Sequence, residues 1–534
     1  MSQKNEILDA VIVGAGFAGM YTLHRMKQSG FTARVFEAGG DVGGTWYWNR
    51  YPGARCDIES MEYSYSFSDD LQQDWEWSER YATQPEILSY ASHVADHFNL
   101  RPAITFNIRV MSAHYQEASS TWLVTTDQGE TVEARFCIMA TGCLSSVNQP
   151  SFAGIDDFKG STYHTGQWPR DGVDFSGLTV GIIGTGSSAI QSIPLIAEQA
   201  RHLTVFQRTA NFSIPAHNQD LDESFIQEIK HDYATFRDEN RQMHGGFGAR
   251  RPRYEDSVWD ADEETRRQRF EERWALGGLG FLGAFGDLGL SLEANNIAAE
   301  FIREKIRGIV KDPAVAELLC PDGVVGCKRL CVDTNYYQTF NRDNVSLVSV
   351  RENPIERLTE KGLVTGGREY AFDAIIFATG FDAMTGSLLK IDIQGREGLT
   401  LQEKWEAGPR TYLGLSTSGF PNLFTISGPG SPSVLSNMIV TIEQHVNWIM
   451  DCLEHMRSDS LSVIEANTAA EDQWVTQGNA IADMTLMPRC NSWYLGANVP
   501  GKPRVFMPYV GGVPTYFEIC DRVASGGYEG FTLR

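Results

Sequence analysis

Leu8-Asp9-Ala10-Val11-Ile12-Val13-Gly14-Ala15-Gly16-Phe17-Ala18-Gly19 is the stretch that decides the fold of this chain. Its first six residues form a short apolar run of the kind that makes a buried parallel strand. Gly14-x-Gly16-x-x-Gly19 follows at once around Phe17, and Met20 to Gln28 reads as a helix ending at Gly30. Glycines at this spacing allow a tight turn, close approach of backbone to a pyrophosphate, and close packing of helix on strand. The helix N-terminus adds amide donors for the phosphates. Ala33 to Glu37 is then a second strand, and its terminal acid lies 18 residues after Gly19, where a carboxylate accepts ribose hydroxyls. A glycine pattern alone carries little. Strand, glycines, helix, strand and acid in this order predict a dinucleotide-binding unit.

The unit recurs 170 residues later. Leu178 to Ile183 is the strand, Gly184-Thr185-Gly186-Ser187-Ser188-Ala189 the turn, Ile190 to Gln199 the helix (with Gln191 in its first turn), and Leu203 to Phe206 the second strand. Counting 23 residues from the first glycine reaches Glu37 in one copy and Gln207 in the other, where Arg208 and Thr209 follow. An acid would repel a 2′-phosphate, whereas an arginine binds it bidentately. The second site is therefore expected to prefer NADPH to NADH; the alternative is an ordinary solvated arginine. Two such folds in one chain point to a flavoprotein that takes hydride from a nicotinamide.

Between and beyond these units the chain is less regular. Residues 41–57 crowd Thr45, Trp46, Tyr47, Trp48, Tyr51, Arg55 and Asp57 among glycines, which excludes a regular helix or strand and predicts an ordered loop around a large planar ligand. Two strands, Arg135 to Met139 and Ala374 to Phe377, each run into Ala-Thr-Gly, ending at Gly142 and Gly380. They are expected to return from smaller sheets to the nucleotide folds, with glycine where backbone passes a cofactor. The expected organisation is α/β. Two Rossmann-like domains are formed, one for FAD from residues 1–145 and 380–534 and one for NADP from 146–379. A charged helical subdomain, about 220–312, is inserted in the second.

Length and composition agree with several domains of a globular protein. The 534 residues carry a net charge of -23, which argues against nucleic acid or an anionic membrane as partner. Nine cysteines include no Cys-x-x-Cys, so a reducing compartment with free thiols is expected, and neither a redox dithiol nor a metal site is. Met1 to Glu6 is polar and leads directly into the first strand, and no apolar run reaches membrane-spanning length. A soluble cytoplasmic protein is expected.

The connector between the two glycine loops narrows the chemistry. Phe158, Gly160, His164, Trp168 and Pro169 spell Phe-x-Gly-x-x-x-His-x-x-x-Trp-Pro. This resembles the fingerprint of type I Baeyer–Villiger monooxygenases; flavin-containing monooxygenases resemble it too but usually lack the Trp-Pro ending. The resemblance extends over nearly the whole chain, through Gly43 to Asp57, Lys328-Arg329-Leu330, Gly428 to Ser433 and Asn491 to Tyr494. It is strongest toward the phenylacetone and steroid monooxygenase branch.

The resemblance implies FAD and NADPH as cofactors, and a ketone and dioxygen as substrates. FAD would be held by Gly14, Gly16, Phe17, Gly19, Glu37, Thr45, Trp46, Trp48, Arg55, Asp57, Tyr63 and Val110. NADPH would be held by Thr185, Gly186, Ser187, Ser188, Gln191, Arg208, Thr209, Lys328 and Trp493. Arg329, paired with Asp57, would sit over the flavin as the catalytic cation, stabilising a flavin peroxide that converts the ketone to an ester or lactone, with sulfide oxidation as a second activity. His164 and Trp168 would link domains and leave the substrate's protons alone. Read without the family, Lys328-Arg329 is also compatible with a surface basic pair. Three rivals are a heteroatom monooxygenase, a disulfide reductase (which the lack of Cys-x-x-Cys opposes) and a non-catalytic flavin redox carrier.

Overall fold

The computed structural model describes residues 7–534, so the expectation for Met1 to Glu6 lies outside the described residues. The first glycine unit builds an eight-stranded mixed sheet. Its centre is parallel: Leu8–Val13 lies between Ala33–Glu37 and Thr131–Met139, and Ile104–Phe106 extends the far edge. Antiparallel strands Val110–Gln116 and Thr121–Thr126 continue it on the other side. Two late segments come back to this sheet. Asp392–Gln394 pairs with Val110–Gln116, and Leu423–Thr425 pairs with Thr131–Met139.

The second glycine unit builds a five-stranded, wholly parallel sheet in the order Val345–Ser349, His202–Gln207, Thr179–Ile183, Ala374–Phe377, Ser161–His164. The connector supplies its edge strand. Helices Glu223–His231, Tyr233–Arg241, Glu263–Leu276 and Leu292–Ile309 fill the inserted segment, Pro313–Leu319 follows it, and the apolar, glycine-rich stretch Gly277 to Leu290 includes a 3₁₀ helix, Gly278–Ala284. Among the described residues no helix is long and apolar enough to cross a membrane.

Both Ala-Thr-Gly endings acquire a physical reason. A Cβ on Gly14 would lie 2.6 Å from the Ala140 carbonyl oxygen, and one on Gly184 would lie 2.5 Å from that of Ala378. In each unit the first glycine of the turn presses its backbone on the alanine of the neighbouring strand end, at φ values of +106° and +117° that exclude other residues. The first of these strand ends differs from expectation. Thr131–Met139 pairs at once with the Rossmann strand and with an antiparallel neighbour, so it is central to one continuous sheet. The aromatic loop also differs, since Thr45–Trp48 closes one helical turn. The helix of the second unit, Ser187–Gln199, runs through Pro194.

Helix Met438–Ser458 packs against both Phe17–Gln28 and Val513–Ser525 and holds a buried histidine. His445 Nδ1 accepts the Ser427 amide at 3.0 Å. Its Nε2 proton therefore goes to the Tyr516 hydroxyl at 2.9 Å, which in turn donates to the Leu413 carbonyl at 2.6 Å. Burial lowers the imidazole pKa to about 3. The folded state thus binds no proton there between that value and about 6.5, whereas the unfolded chain does, so stability from this group falls as pH drops below about 6.5, by up to ~1.4 kcal/mol per pH unit. Glu62 and Asp333, raised by burial to about 7 and about 6, act in the opposite direction. His445→Gln leaves those two in place, so its apparent Tm should decline less than wild type's between pH 7 and pH 5. Parallel declines would mean that His445 does not set this dependence.

Candidate active site

The site lies where loops from both units converge on a guanidinium. Arg329 precedes strand Cys331–Asp333, and Asp57 ends the aromatic loop, 272 residues away in sequence. Arg329 Nε donates to Asp57 Oδ2 at 2.6 Å and Nη2 to Oδ1 at 2.7 Å, while Nη1 donates to the Val434 carbonyl. Each side chain of the pair is 22% exposed. Burial alone would lower the guanidinium pKa, but Asp57 outweighs it and the net shift is upward, so Arg329 stays charged. Tyr494 lies beside the pair, and burial raises its hydroxyl pKa to about 12, which keeps it a neutral donor.

On the side of the first sheet, Glu37 is buried at the end of its strand. Its carboxylate accepts amides from Ala15 at 2.7 Å and Gly39 at 2.6 Å, and burial moves its pKa upward against those bonds. Gly16 faces Gly44 so closely that a Cβ on Gly44 would stand 2.8 Å from the Gly16 Cα, and Gly19 has no room for a Cβ beside Gly14. Phe17 packs edge-on against Tyr63, and Trp46 Nε1 donates to the Tyr63 hydroxyl at 3.1 Å. Thr45 and Trp48 lie exposed on the same turn, Trp48 meeting Tyr47 edge-on. Val110 is buried in the antiparallel extension at an irregular register, away from the arginine loop in sequence and sheet. Arg55 pairs with Glu79 at 3.4 Å.

On the other side, Arg208 and Lys328 approach each other, and among the described residues neither makes an ion pair. Desolvation and the Arg208 charge both lower the Lys328 pKa. The two cations stand together in a chain of strongly negative charge, and Asp322 offsets part of their mutual effect on Lys328. The turn itself is held by its own side chains: Thr185 Oγ1 donates to the Thr209 carbonyl at 2.9 Å and Asn211 to the Thr185 carbonyl at 2.5 Å. Gly186 has open space in front of its Cα. Ser187 and Ser188 reach Cys331 and Thr165 at 3.4 and 3.3 Å. Gln191 spans the two units, accepting from the Tyr51 hydroxyl at 2.9 Å and donating to the Arg55 carbonyl at 3.2 Å.

The connector meets both chain crossings. His164 Nδ1 accepts the Gly166 amide at 3.0 Å, so Nε2 donates to Thr379 Oγ1 at 3.0 Å, and that hydroxyl donates to the Asn148 carbonyl at 2.8 Å. Burial lowers the His164 pKa and so favours the neutral ring. Gly160 leaves no room for a Cβ, which would lie 2.5 Å from the Asp373 carbonyl; Phe158 and Trp168 are buried, and Pro169 is exposed. Arg170, next in sequence, stacks over the Tyr47 ring at 4.7 Å.

One expectation fails here. The cysteines are not all free: Cys327 and Cys490, 163 residues apart, are joined in a disulfide. No local spacing could announce this pair, because only the fold brings their loops together.

Known proteins resemble the whole of this arrangement. A family profile described as pyridine nucleotide-disulphide oxidoreductase matches residues 11–270. A Baeyer-Villiger monooxygenase of Pseudooceanicola batsensis is 44% identical over 528 residues, 97% of this chain and 95% of its own. The chain belongs to the Baeyer–Villiger monooxygenase family. An oxidized steroid monooxygenase bound to NADP is 52% identical with a TM-score of 0.94, over 99% of both chains. OTEMO in complex with FAD and NADP is 41% identical with a TM-score of 0.95, over 99% of this chain and 100% of its own.

The family resemblance pairs Arg329 with Asp57, and two hydrogen bonds join them in the structure; it also groups Lys328 with Arg208, whose charge acts on Lys328. Sequence reading misses Asn211 and the Val434 carbonyl and assigns Tyr494, though part of a quoted motif, no role; these segments meet in a way that no periodicity reveals. The ion pair is testable as a structural link. Asp57→Ala and Arg329→Ala should each destabilise the protein, and the double variant should cost less than their sum, with a coupling of about 2 kcal/mol. Additive costs in thermal or urea unfolding would show that the pair is not coupled.

Proposed function

We propose that this enzyme inserts one atom of dioxygen beside a ketone carbonyl, giving an ester or lactone, with FAD as prosthetic group and NADPH as electron donor. The observation that carries this reading is the charged Arg329 guanidinium clamped by Asp57 and Val434 between the two nucleotide folds. Similarity to a steroid monooxygenase and other ketone-oxidising relatives supports aryl-alkyl, cyclic or bulky ketones as the substrate class.

The residues present fit both cofactors. Glycines 14, 16 and 19 leave backbone where a pyrophosphate would approach, and Glu37 offers a buried carboxylate with no ion-pair partner among the described residues. Phe17, Thr45, Trp46, Trp48, Arg55, Asp57, Tyr63 and Val110 complete the flavin set. Thr185, Gly186, Ser187, Ser188, Thr209 and Trp493 serve the nicotinamide nucleotide, and Arg208 with Lys328 takes its 2′-phosphate. Gln191 belongs to the same nucleotide set, and its amide also joins Tyr51 and Arg55. The corresponding domains are 1–145 with 380–534 for FAD and 146–379 for NADP, with the helical insert at about 220–312. The setting is cytoplasmic, without nucleic acid as partner.

FAD reduced by NADPH supplies activated dioxygen when bound. The chain's own contribution is electrostatic and positional. Arg329 presents a fixed positive charge to negative charge that develops on oxygen, and it gives up no proton at working pH. Asp57 sets its orientation. The neutral His164 holds no substrate proton; it ties the edge strand to both crossings and so fixes how the two folds face each other. Trp493 would hold the nicotinamide nucleotide and so help to keep water from the site.

Incubating the FAD-loaded protein with NADPH, air and phenylacetone, cyclohexanone, cyclododecanone or a steroid ketone should give a product heavier by one oxygen in mass spectrometry. Peroxide alone across this panel, with sulfides or amines oxidised instead, would move the enzyme to heteroatom oxidation. Arg329→Ala should keep FAD and its reduction by NADPH but form no ester, and ester formation near the wild-type rate would remove the assignment. Arg208→Ala should raise KM for NADPH by roughly tenfold or more, the loss of a charge-assisted hydrogen bond. NADH should be little affected, and equal effects on both nucleotides would sink the 2′-phosphate reading.

A further inference from the structure

Cys327 lies in the loop before strand Cys331–Asp333 and Cys490 between the 3₁₀ turns Met487–Arg489 and Trp493–Leu495, and each leads directly into the site. Cys327 is followed by Lys328-Arg329, and Cys490 by Asn491-Ser492-Trp493-Tyr494. Their Cα atoms are 5.9 Å apart, inside the range that a disulfide spans. The bond therefore joins the loop carrying the two cations to the loop carrying Trp493. At its other end this second loop is tied to the chain crossing. Lys502 Nζ donates to Asp382 Oδ1 and to the Ala383 carbonyl, and Asn498 Nδ2 donates to the Phe381 carbonyl. Closing the disulfide fixes the loop at both ends.

The other seven cysteines are free. Six of them are buried, and burial pushes their thiols up, among them Cys143 and Cys331 to about 11 and Cys137 and Cys520 to about 12, so they are poor nucleophiles. Cys490 is half-buried beside the exposed Arg489, whereas Cys327 is buried behind it. An oxidant from solvent meets Cys490 first.

We propose that Cys327 and Cys490 form a hydroperoxide-responsive modification site, whose disulfide locks the Trp493 loop over the Lys328–Arg329 loop and slows release of the nicotinamide nucleotide. The coupling to nucleotide release rests on the NADPH reading above; the thiol chemistry does not. The Cys490 thiolate attacks one peroxide oxygen, the O–O bond breaks, and hydroxide leaves and is protonated to water, so the cysteine becomes a sulfenic acid. The Cys327 thiol then displaces that hydroxyl as a second water, forming the S–S bond. Two thiols lose two electrons and two protons, and one hydrogen peroxide becomes two waters. Hydrogen peroxide reaching Cys490 from solvent is the oxidant. A reducing dithiol reopens it.

The test uses the FAD-loaded full chain, first reduced with a phosphine and then exposed to graded hydrogen peroxide. Intact mass should fall by two hydrogens, and a non-reducing digest should show the Cys327 and Cys490 peptides linked. Release of NADP⁺, followed by displacement in a stopped-flow instrument, should be at least about threefold slower from the oxidised than from the reduced protein, a change carried in the off-rate. Cys490→Ser and Cys327→Ser should release NADP⁺ at one rate whatever the redox state. Absence of the linked peptide, or a linked protein that releases NADP⁺ as fast as the reduced one, overturns the proposal. A protein that binds no NADP⁺ in either state brings down the nucleotide reading and the coupling with it, while the linked peptide still decides the dithiol.

Discussion

The bidentate contact between Arg329 and Asp57 is the interaction on which the rest of the site depends. A guanidinium this far out of water is tolerable only with a carboxylate against it, and the carboxylate is equally dependent on the cation. Asp57 belongs to the aromatic loop beside the first sheet, whereas Arg329 belongs to the segment after the helical insert. The pair therefore ties the two units to each other. The Val434 carbonyl adds a third segment to the same cation, so the chain before, within and after the second nucleotide fold all meet at one side chain.

Much of this was legible from the residues, and the reason is local. A glycine turn, the strand before it and the acid after it are neighbours in sequence, so their joint meaning survives in one dimension. The Ala-Thr-Gly endings were visible as a pattern, but their cause was not. Gly14 and Gly184 exclude a side chain because the backbones of Ala140 and Ala378 lie against them, a contact between positions more than a hundred residues apart. The disulfide escaped for the same reason, and counting cysteines pointed the wrong way. Gln191 shows a subtler limit. The family resemblance makes it a nucleotide contact, and nothing in its sequence position shows that its amide also joins Tyr51 and Arg55.

The connector repays attention as a mechanical part. His164 closes an edge strand, and its tautomer is fixed by the Gly166 amide on one nitrogen, which commits the other to Thr379. Because burial disfavours the charged ring, this chain of hydrogen bonds tends to keep one polarity. Arg170 extends the contact by laying its guanidinium on Tyr47, in the opposite unit. The stretch that separates two nucleotide folds in sequence is what fastens them in space.

The return of Leu423–Thr425 to the side of Thr131–Met139 has a consequence for the birth of the molecule. While a ribosome is still making the second nucleotide fold, the first sheet lacks one of its parallel neighbours, and the apolar flank of Thr131–Met139 stays open for close to three hundred further residues. The second unit, contiguous in the chain, has all five of its strands as soon as Ala374–Phe377 emerges. Nascent chains should therefore finish their inner fold before their outer one, with the unpaired strand edge as the surface that chaperones must shield.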